Sequence, residues 1–445
     1  MAGRLQRPTP EDAAAARRVV DWALARLADR SGTLPPLSPW PELPRLTAEG
    51  AGAEQAVRRL LELVIPTALP PDHPRFLAFV PVSPSVAAVV ADMAVSAACV
   101  FGGTRLEAGA AVAAEDAVLR WLADAAGLPA AAGGTFVSGG SIANLSALVA
   151  ARGDRYADRA AQVIITGASA HSSLAAAGRV MGCEVVAARP ADAYGRLDAP
   201  ALRAALRGRD PGSVVAVVAT AGATNTGAVD DLAGVAGVCA EHGLWLHVDG
   251  AYGGAALLSP RTRPLFRGLE LADSLTVNPH KWLFAPFECS AIIYRDKAAA
   301  ARALTQRADY LDAVAEEDGG NPWDLAVHLT RRPRGLPLWA SLVAYGTDAY
   351  VEAIEGCLDT AGYAAAAVRA HPHLELAVEP ALSVVLFRRP GWTPADYARW
   401  SEAAIRTGLA VATPTRHGGE TMLRFCFVNP LTTTADVDLV VSSFD

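Results

Sequence analysis

Lysine is almost missing from this chain: arginine supplies 37 of its 39 basic residues, and the only lysines are Lys281 and Lys297. An alanine- and arginine-rich composition explains that scarcity without invoking function. Other absences exclude more. There is no excess of positive charge, since the formal net charge is −7 and the pI is near 5.8, so nothing marks a nucleic-acid partner. The six cysteines (Cys99, Cys183, Cys239, Cys289, Cys357 and Cys426) form no C-x-x-C pair. They predict reduced, mostly buried thiols and no metal site. The opening stretch "MAGRLQRPTPEDAAAARR" has no apolar core of a secretory leader, so a cytoplasmic location is expected. The longest apolar run, residues 86–101, is interrupted by Asp92 and is too short for a membrane span. It predicts a buried helix instead.

What is present describes a folded protein. Hydrophobic residues make up 52% of the chain and charged ones 19%, far from the balance of a disordered segment. A length of 445 residues suits two or three domains, or one large α/β domain with an appendage. Residues 1–75 read as helices broken by the Pro-rich connector "SGTLPPLSPWPELP". Across 76–335, short apolar runs alternate with helical patterns: "AQVIITG", "CEVVAAR", "SVVAVVATAG", "LWLHVDG", "SLTVN" and "CSAIIYR". Unalternated Val/Ile/Leu runs are typical of strands buried on both faces, and helices between them suit crossovers. Together they predict an α/β fold with an open, mostly parallel sheet. From 336 to 445 a long helix and alternating strands predict a smaller α+β domain.

In such a sheet, ligands bind beyond the carboxyl ends of the strands. Gly139, Gly140 and Ser141 open a helix in "VSGGSIANLSALVAAR". Free N–H groups and the helix dipole suit a phosphate there, although the same triplet also serves as an ordinary cap. It is neither a Walker loop nor a G-x-G-x-x-G fingerprint. His171, just past a strand, can stack on a flat ligand, move a proton, or only cap the following helix. Thr220 can hydrogen-bond a ligand or belong to a turn. Asp249 ends a strongly apolar strand, a costly place for a carboxylate unless a cation faces it. Lys281 stands at the end of the next candidate strand. Desolvation there weakens its hold on the proton and makes it an amine nucleophile, able to form a Schiff base with an aldehyde. A phosphate cradle, a ring stacker, a buried carboxylate and such a lysine together match pyridoxal 5'-phosphate.

The chain also resembles the group II pyridoxal-phosphate-dependent amino-acid decarboxylases, which include the aromatic-L-amino-acid, glutamate and histidine decarboxylases. The motifs "HPRFLAF", "SGGSIANLSALVAAR", "AHSSL", "ATAGATNTGAVDDL", "LWLHVDGAYGG", "ADSLTVNPHKWLF" with "CSAIIYR", and "LRFCFVNPLTT" stand in family order. The resemblance implies the aspartate-aminotransferase fold (fold type I) and pyridoxal 5'-phosphate as cofactor. It also implies an amino-acid substrate and a homodimer with active sites at the interface. Lys281 corresponds to the lysine bonded to the cofactor, Asp249 to the partner of the ring nitrogen, and His171 to the histidine stacked on the ring. Gly140 and Ser141 match the phosphate-binding pair, with Asn278 adding a contact. Thr220 falls near the ring, and His280 close to substrate and phosphate. The family's substrate pocket maps onto Phe79, Val80, Pro81 and, from the partner chain, Phe101. That apolar lining favours a hydrophobic or aromatic L-amino acid, although these residues can equally pack the dimer.

One segment departs from the pattern. The family carries a loop tyrosine that protonates the substrate carbon after CO2 leaves. It should lie between Tyr310 and "LTRRPRGLPLW". Ungapped matching on the Arg pair puts Pro322 there, and matching on Asp324 puts Leu325 there. In the family, loss of this donor can divert the reaction to oxygen, giving an aldehyde, ammonia and peroxide. Alternatively His328 or a water supplies the proton, or the chain performs another pyridoxal-phosphate reaction. Arg424 can bind a carboxylate or serve the fold. A non-catalytic protein built on this fold is the remaining reading, and the presence of both Lys281 and Asp249 argues against it.

Overall fold

The computed structural model describes residues 5–153, 162–309 and 320–445. Ala161, at the start of one expected strand, and Tyr310 lie outside the described residues. The strands in chain order are β1 (Gly133–Val137), β2 (Val163–Thr166), β3 (Glu184–Ala187), β4 (Val214–Thr220), β5 (Leu246–Asp249), β6 (Ser274–Val277), β7 (Ser290–Tyr294), β8 (Glu375–Leu376), β9 (Val384–Arg388), β10 (Pro414–His417) and β11 (Glu420–Cys426). The first seven form one sheet in the order β1-β7-β6-β5-β4-β2-β3. Pairing is parallel from β6 through β5, β4 and β2 to β3, whereas β7 is antiparallel to both β6 and β1. Six strands therefore point the same way.

Continuous apolar runs form the middle of this sheet because both faces are covered. Every residue of β4, β5, β6 and β7 is buried. At the edge, β3 keeps partial exposure. Helices Arg105–Ala125, Gly140–Arg152, Ser172–Met181 and Leu232–His242 cover the faces. The core joins Phe136, Val217, Val248, Leu275 and Ile293 from five strands with Leu119 and Val235 from two of those helices.

The second sheet is antiparallel, in the order β10-β11-β9-β8. Its core is aromatic: Phe387 meets Phe425 edge-on at 4.8 Å and Phe444 at 5.6 Å. The helix Leu336–Ala370 links the two sheets and is kinked at Gly346, whose φ of 73 lies in the left-handed region. The incoming chain is stitched to the small sheet, since Leu77 N–H donates to Val411 O (2.8 Å) and Cys426 N–H to Leu77 O (3.0 Å).

One expectation needs correction. The apolar run forms the helix Val86–Ala98, but Ala88 is its only buried residue, and Val86 and Val90 are 45% and 49% exposed. This helix packs against Leu336–Ala370, and among the described residues much of its apolar surface, Val86 and Val90 included, stays exposed. Among the described residues, no helix is long and apolar enough to cross a membrane. All six cysteines are free, and only Cys99 is exposed.

Candidate active site

Because six strands share a direction, their carboxyl ends share one edge, and the candidate residues gather along it. Thr220 and Asp249 are the last residues of β4 and β5 and lie side by side in register. Asn278 follows β6 and leads into the helical turn Pro279–Trp282, which carries His280 and Lys281. His171 follows β2 and caps the helix Ser172–Met181 with its own ring. Gly140 begins the helix that follows β1. The adjacent ends of β6, β5, β4 and β2 together span about 14 Å at ordinary strand spacing.

These ends enclose a cavity of about 200 Å³ lined by Gly140, Ser141, His171, Thr220, Asp249, Asn278 and Lys281. Asn144, Ser169, Ser173, Gly222, Thr224, Ala251 and Tyr252 complete the wall and were not singled out from sequence. Asn144 was legible in principle, being one helical turn beyond Ser141 and so on the same face. Tyr252 stacks on Trp282 at 5.4 Å and 15°, which braces the turn that holds Lys281.

The electrostatics suit an amine nucleophile. Burial pushes Lys281 below the ordinary lysine range, against the pull of Asp249. Burial likewise pushes His171 below the ordinary histidine range, against the pull of Asp249. Asp249 accepts from Asn144 Nδ2 (2.9 Å) and from Ala251 N–H (3.0 Å). Asp249 and Lys281 share the cavity without forming a direct ion pair.

The residues fit pyridoxal 5'-phosphate. In that molecule the ring nitrogen and the aldehyde carbon are para, which calls for a carboxylate and a lysine a ring's length apart. Two polar atoms of the cavity wall, Thr220 Oγ1 and Asn278 Oδ1, are buried without any partner in the protein. The helix Gly140–Arg152 has no side-chain cap, so its first N–H groups remain for an anion. A Cβ at Gly140 would stand 2.9 Å from Asn278 Nδ2, so a larger residue would close the cradle.

Other candidates lie elsewhere. His280 is not in the cavity wall; its Nδ1 is 2.7 Å from Cys289 O, and burial with the neighbouring Lys281 pushes it down to about 4. Phe79, Val80, Pro81 and Phe101 are also outside the wall in a single chain. Phe79 has a φ of 56 and is 63% exposed, and its carbonyl accepts both Nη1 (2.7 Å) and Nη2 of Arg424. Arg424 is therefore engaged with backbone. Phe101 meets Trp323 edge-on at 6.2 Å. Pro322 and Leu325, the positions matched to the missing tyrosine, are buried in the turn Pro322–Leu325. His328 Nε2 is buried without a partner, and burial with Arg331 and Arg334 nearby pushes this ring down to about 4.

A seven-stranded sheet of this order, with a lysine, a carboxylate and an anion cradle at its carboxyl edge, defines a fold type I pyridoxal-phosphate enzyme. Comparison with known proteins narrows the class. Residues 47–389 match the family model described as the pyridoxal-dependent decarboxylase conserved domain. L-2,4-diaminobutyrate decarboxylase of Rhizobium meliloti (strain 1021) is 35% identical, over 90% of this chain and 82% of that protein. Aromatic-L-amino-acid decarboxylase of Bacillus atrophaeus is 31% identical, over 82% and 79%. The crystal structure of Oryza sativa TDC with PLP and tryptamine superposes with a TM-score of 0.87 at 26% identity, covering 99% of both chains. The chain belongs to the pyridoxal-dependent decarboxylase family and is an amino-acid decarboxylase that uses pyridoxal 5'-phosphate.

Proposed function

We propose that the substrate is an L-amino acid with a hydrophobic or aromatic side chain, converted to its amine and CO2. The observation that carries the site is the single cavity joining Lys281, Asp249, His171, Thr220, Asn278 and the Gly140–Ser141 helix start. When bound, pyridoxal phosphate supplies an aldehyde for the amino group and a ring that accepts the electron pair left as CO2 departs. Lys281 would hold the aldehyde, and its lowered proton affinity keeps the amine reactive. Asp249 would hold a proton on the ring nitrogen, His171 would pack on the ring, and Thr220 Oγ1, buried without a protein partner, would take the ring's oxygen substituent. Gly140, Ser141 and Asn278 would bind the phosphate. His280, one residue before Lys281 on the same turn, is the family's position close to substrate and phosphate.

An apolar side-chain pocket is supported by Phe79, Val80 and Pro81, and by Phe287, exposed beside His280 at a ring distance of 5.2 Å. A homodimer, with Phe101 reaching the partner's site, is supported by exposed apolar residues on two packed helices: Val86 and Val90 on one, Trp339, Val343 and Tyr345 on the other. We also take 1–75, 76–335 and 336–445 as the domain division and the cytoplasm as the compartment. The diaminobutyrate decarboxylase relative favours a second reading, a short diamino acid. A panel of carboxyl-labelled amino acids, scored for CO2, amine, aldehyde and peroxide, separates them. Turnover confined to 2,4-diaminobutyrate would overturn the aromatic assignment, and aldehyde with peroxide would overturn the amine product.

A further inference from the structure

A chain of buried polar groups runs behind the cavity from β6 to His171. Trp245 Nε1 donates to Ser274 Oγ (2.9 Å), and Ser274 Oγ lies 2.8 Å from His247 Nδ1. His247 Nε2 lies 3.1 Å from Asn144 Oδ1. Asn144 Nδ2 reaches Asp249 Oδ2 (2.9 Å) and Ser173 Oγ (3.1 Å), and Ser173 Oγ lies 2.9 Å from His171 Nδ1. His247, Asn144, Ser274 and Ser173 are all buried.

The donor and acceptor inventory orders every hydrogen in this chain. A carboxylate only accepts, so the amide nitrogen of Asn144 must face Asp249; a flipped amide would set oxygen against oxygen. Asn144 Oδ1 then faces His247 Nε2, which must donate. Burial keeps His247 neutral, so its Nδ1 is bare and Ser274 donates to it. Trp245, a donor only, fills the remaining side of Ser274 Oγ. On the other branch, Ser173 Oγ takes the second N–H of Asn144 and gives its own hydrogen to His171 Nδ1. The backbone N–H of Ser173 points to the same atom (3.2 Å). The hydrogen of His171 therefore sits on Nε2.

We propose that His247, acting through Asn144, is a positioning residue that aims the Asp249 carboxylate at the cofactor's ring nitrogen. The same amide, through Ser173, ties that carboxylate to the ring of His171. This inference rests on the role given to Asp249 above. His247 touches neither cofactor nor substrate. Its part is to pin the Asn144 amide, which with Ala251 N–H takes one direction on each Asp249 oxygen and leaves the rest of the carboxylate for the cavity. Asp249 and Ser274 lie on neighbouring strands, where β5 and β6 register puts His247 opposite Ser274.

The test uses holoenzyme loaded with pyridoxal phosphate carrying 15N in its ring. Wild type is expected to show a protonated ring nitrogen. His247→Leu should lower that protonated population and weaken cofactor retention about tenfold, the scale of one buried hydrogen bond left unmade. His247→Gln should restore most of both, because its amide donates to Asn144 and accepts from Ser274. A His247→Leu holoenzyme with the wild-type ring signal and retention would overturn the proposal, as would a His247→Gln variant as defective as His247→Leu. Histidine-15N spectra of the wild type need no variant: His247 must carry its hydrogen on Nε2, and the opposite tautomer or a charged ring would overturn the proposal. Asp249→Asn is the control. If wild type lacks the protonated ring nitrogen, or the control matches wild type, the Asp249 assignment itself fails and takes the inference with it.

Discussion

Replacing Glu115 with Gln should destabilise the protein far more than its distance from the cavity suggests. Glu115 and Arg331 form an ion pair whose side chains are 3% and 0% exposed. Arg331 Nη2 donates to both carboxylate oxygens at 2.8 and 2.7 Å, Nε donates to Phe136 O (3.2 Å), and Nη1 donates to Gly102 O. Glu115 also accepts from Gly335 N–H at 2.7 Å. The pair thus clamps the helix Arg105–Ala125, the end of β1 just before the phosphate cradle, and the start of the helix Leu336–Ala370. Gln keeps the shape and an acceptor for Gly335 but leaves a guanidinium buried without its counter-charge, at about 3–5 kcal/mol. With an unfolding entropy of about 2.1 cal/mol/K per residue, that is a fall of roughly 3–5 °C in Tm for a chain of this length. Calorimetry on wild type and Glu115→Gln measures it. A Glu115→Gln change below about 1 kcal/mol would refute the claim that the buried charge is what the pair compensates.

Thr220→Val should leave the apoprotein as stable as wild type or more so, because Thr220 Oγ1 is buried without a protein partner; in the holoenzyme it should weaken cofactor binding by about 1 kcal/mol, read by equilibrium dialysis. Gly140→Val should lower both cofactor affinity and Tm, since its Cβ falls 2.9 Å from the buried Asn278 Nδ2 and the wall must shift to admit it. Acid should destabilise the apoprotein partly through His280. Its ring is held at about 4 in the fold against an ordinary value near 6.5, so its contribution is complete above 6.5 and is lost as pH falls to 4. That loss is about 3 kcal/mol, and His280→Gln should flatten the urea-midpoint slope across this window.

Much of the central sheet could be read from continuous apolar runs, because strands covered on both faces have no polar alternation to hide them. Strand β1, "GGTFV", escaped because two of its five residues are glycine, and β10, "PTRH", because it is polar at a sheet edge. Asp249 and Lys281 were legible for the opposite reason: a charge closing an apolar run is expensive and needs a purpose. Ser173 was not, since its partner Asn144 lies on another helix and only the fold brings the two together. His247 was in plain view beside Asp249, yet its partner Ser274 is identified only by strand register. The helix Val86–Ala98 reads as core by composition alone; its exposed Val86 and Val90 show that apolar composition does not by itself say whether a residue ends up buried.

The scarcity of lysine makes the central claim unusually easy to check. Reducing the holoenzyme with borohydride locks pyridoxal phosphate onto whichever amine holds it, and peptide mass spectrometry locates the bond. Among side chains only Lys281, on the turn Pro279–Trp282 in the cavity wall, and Lys297, at the start of the helix Lys297–Leu304, can compete. The structure predicts the label on Lys281, its loss in Lys281→Ala, and no label on Lys297. Label on Lys297, or label that survives in Lys281→Ala, would contradict it.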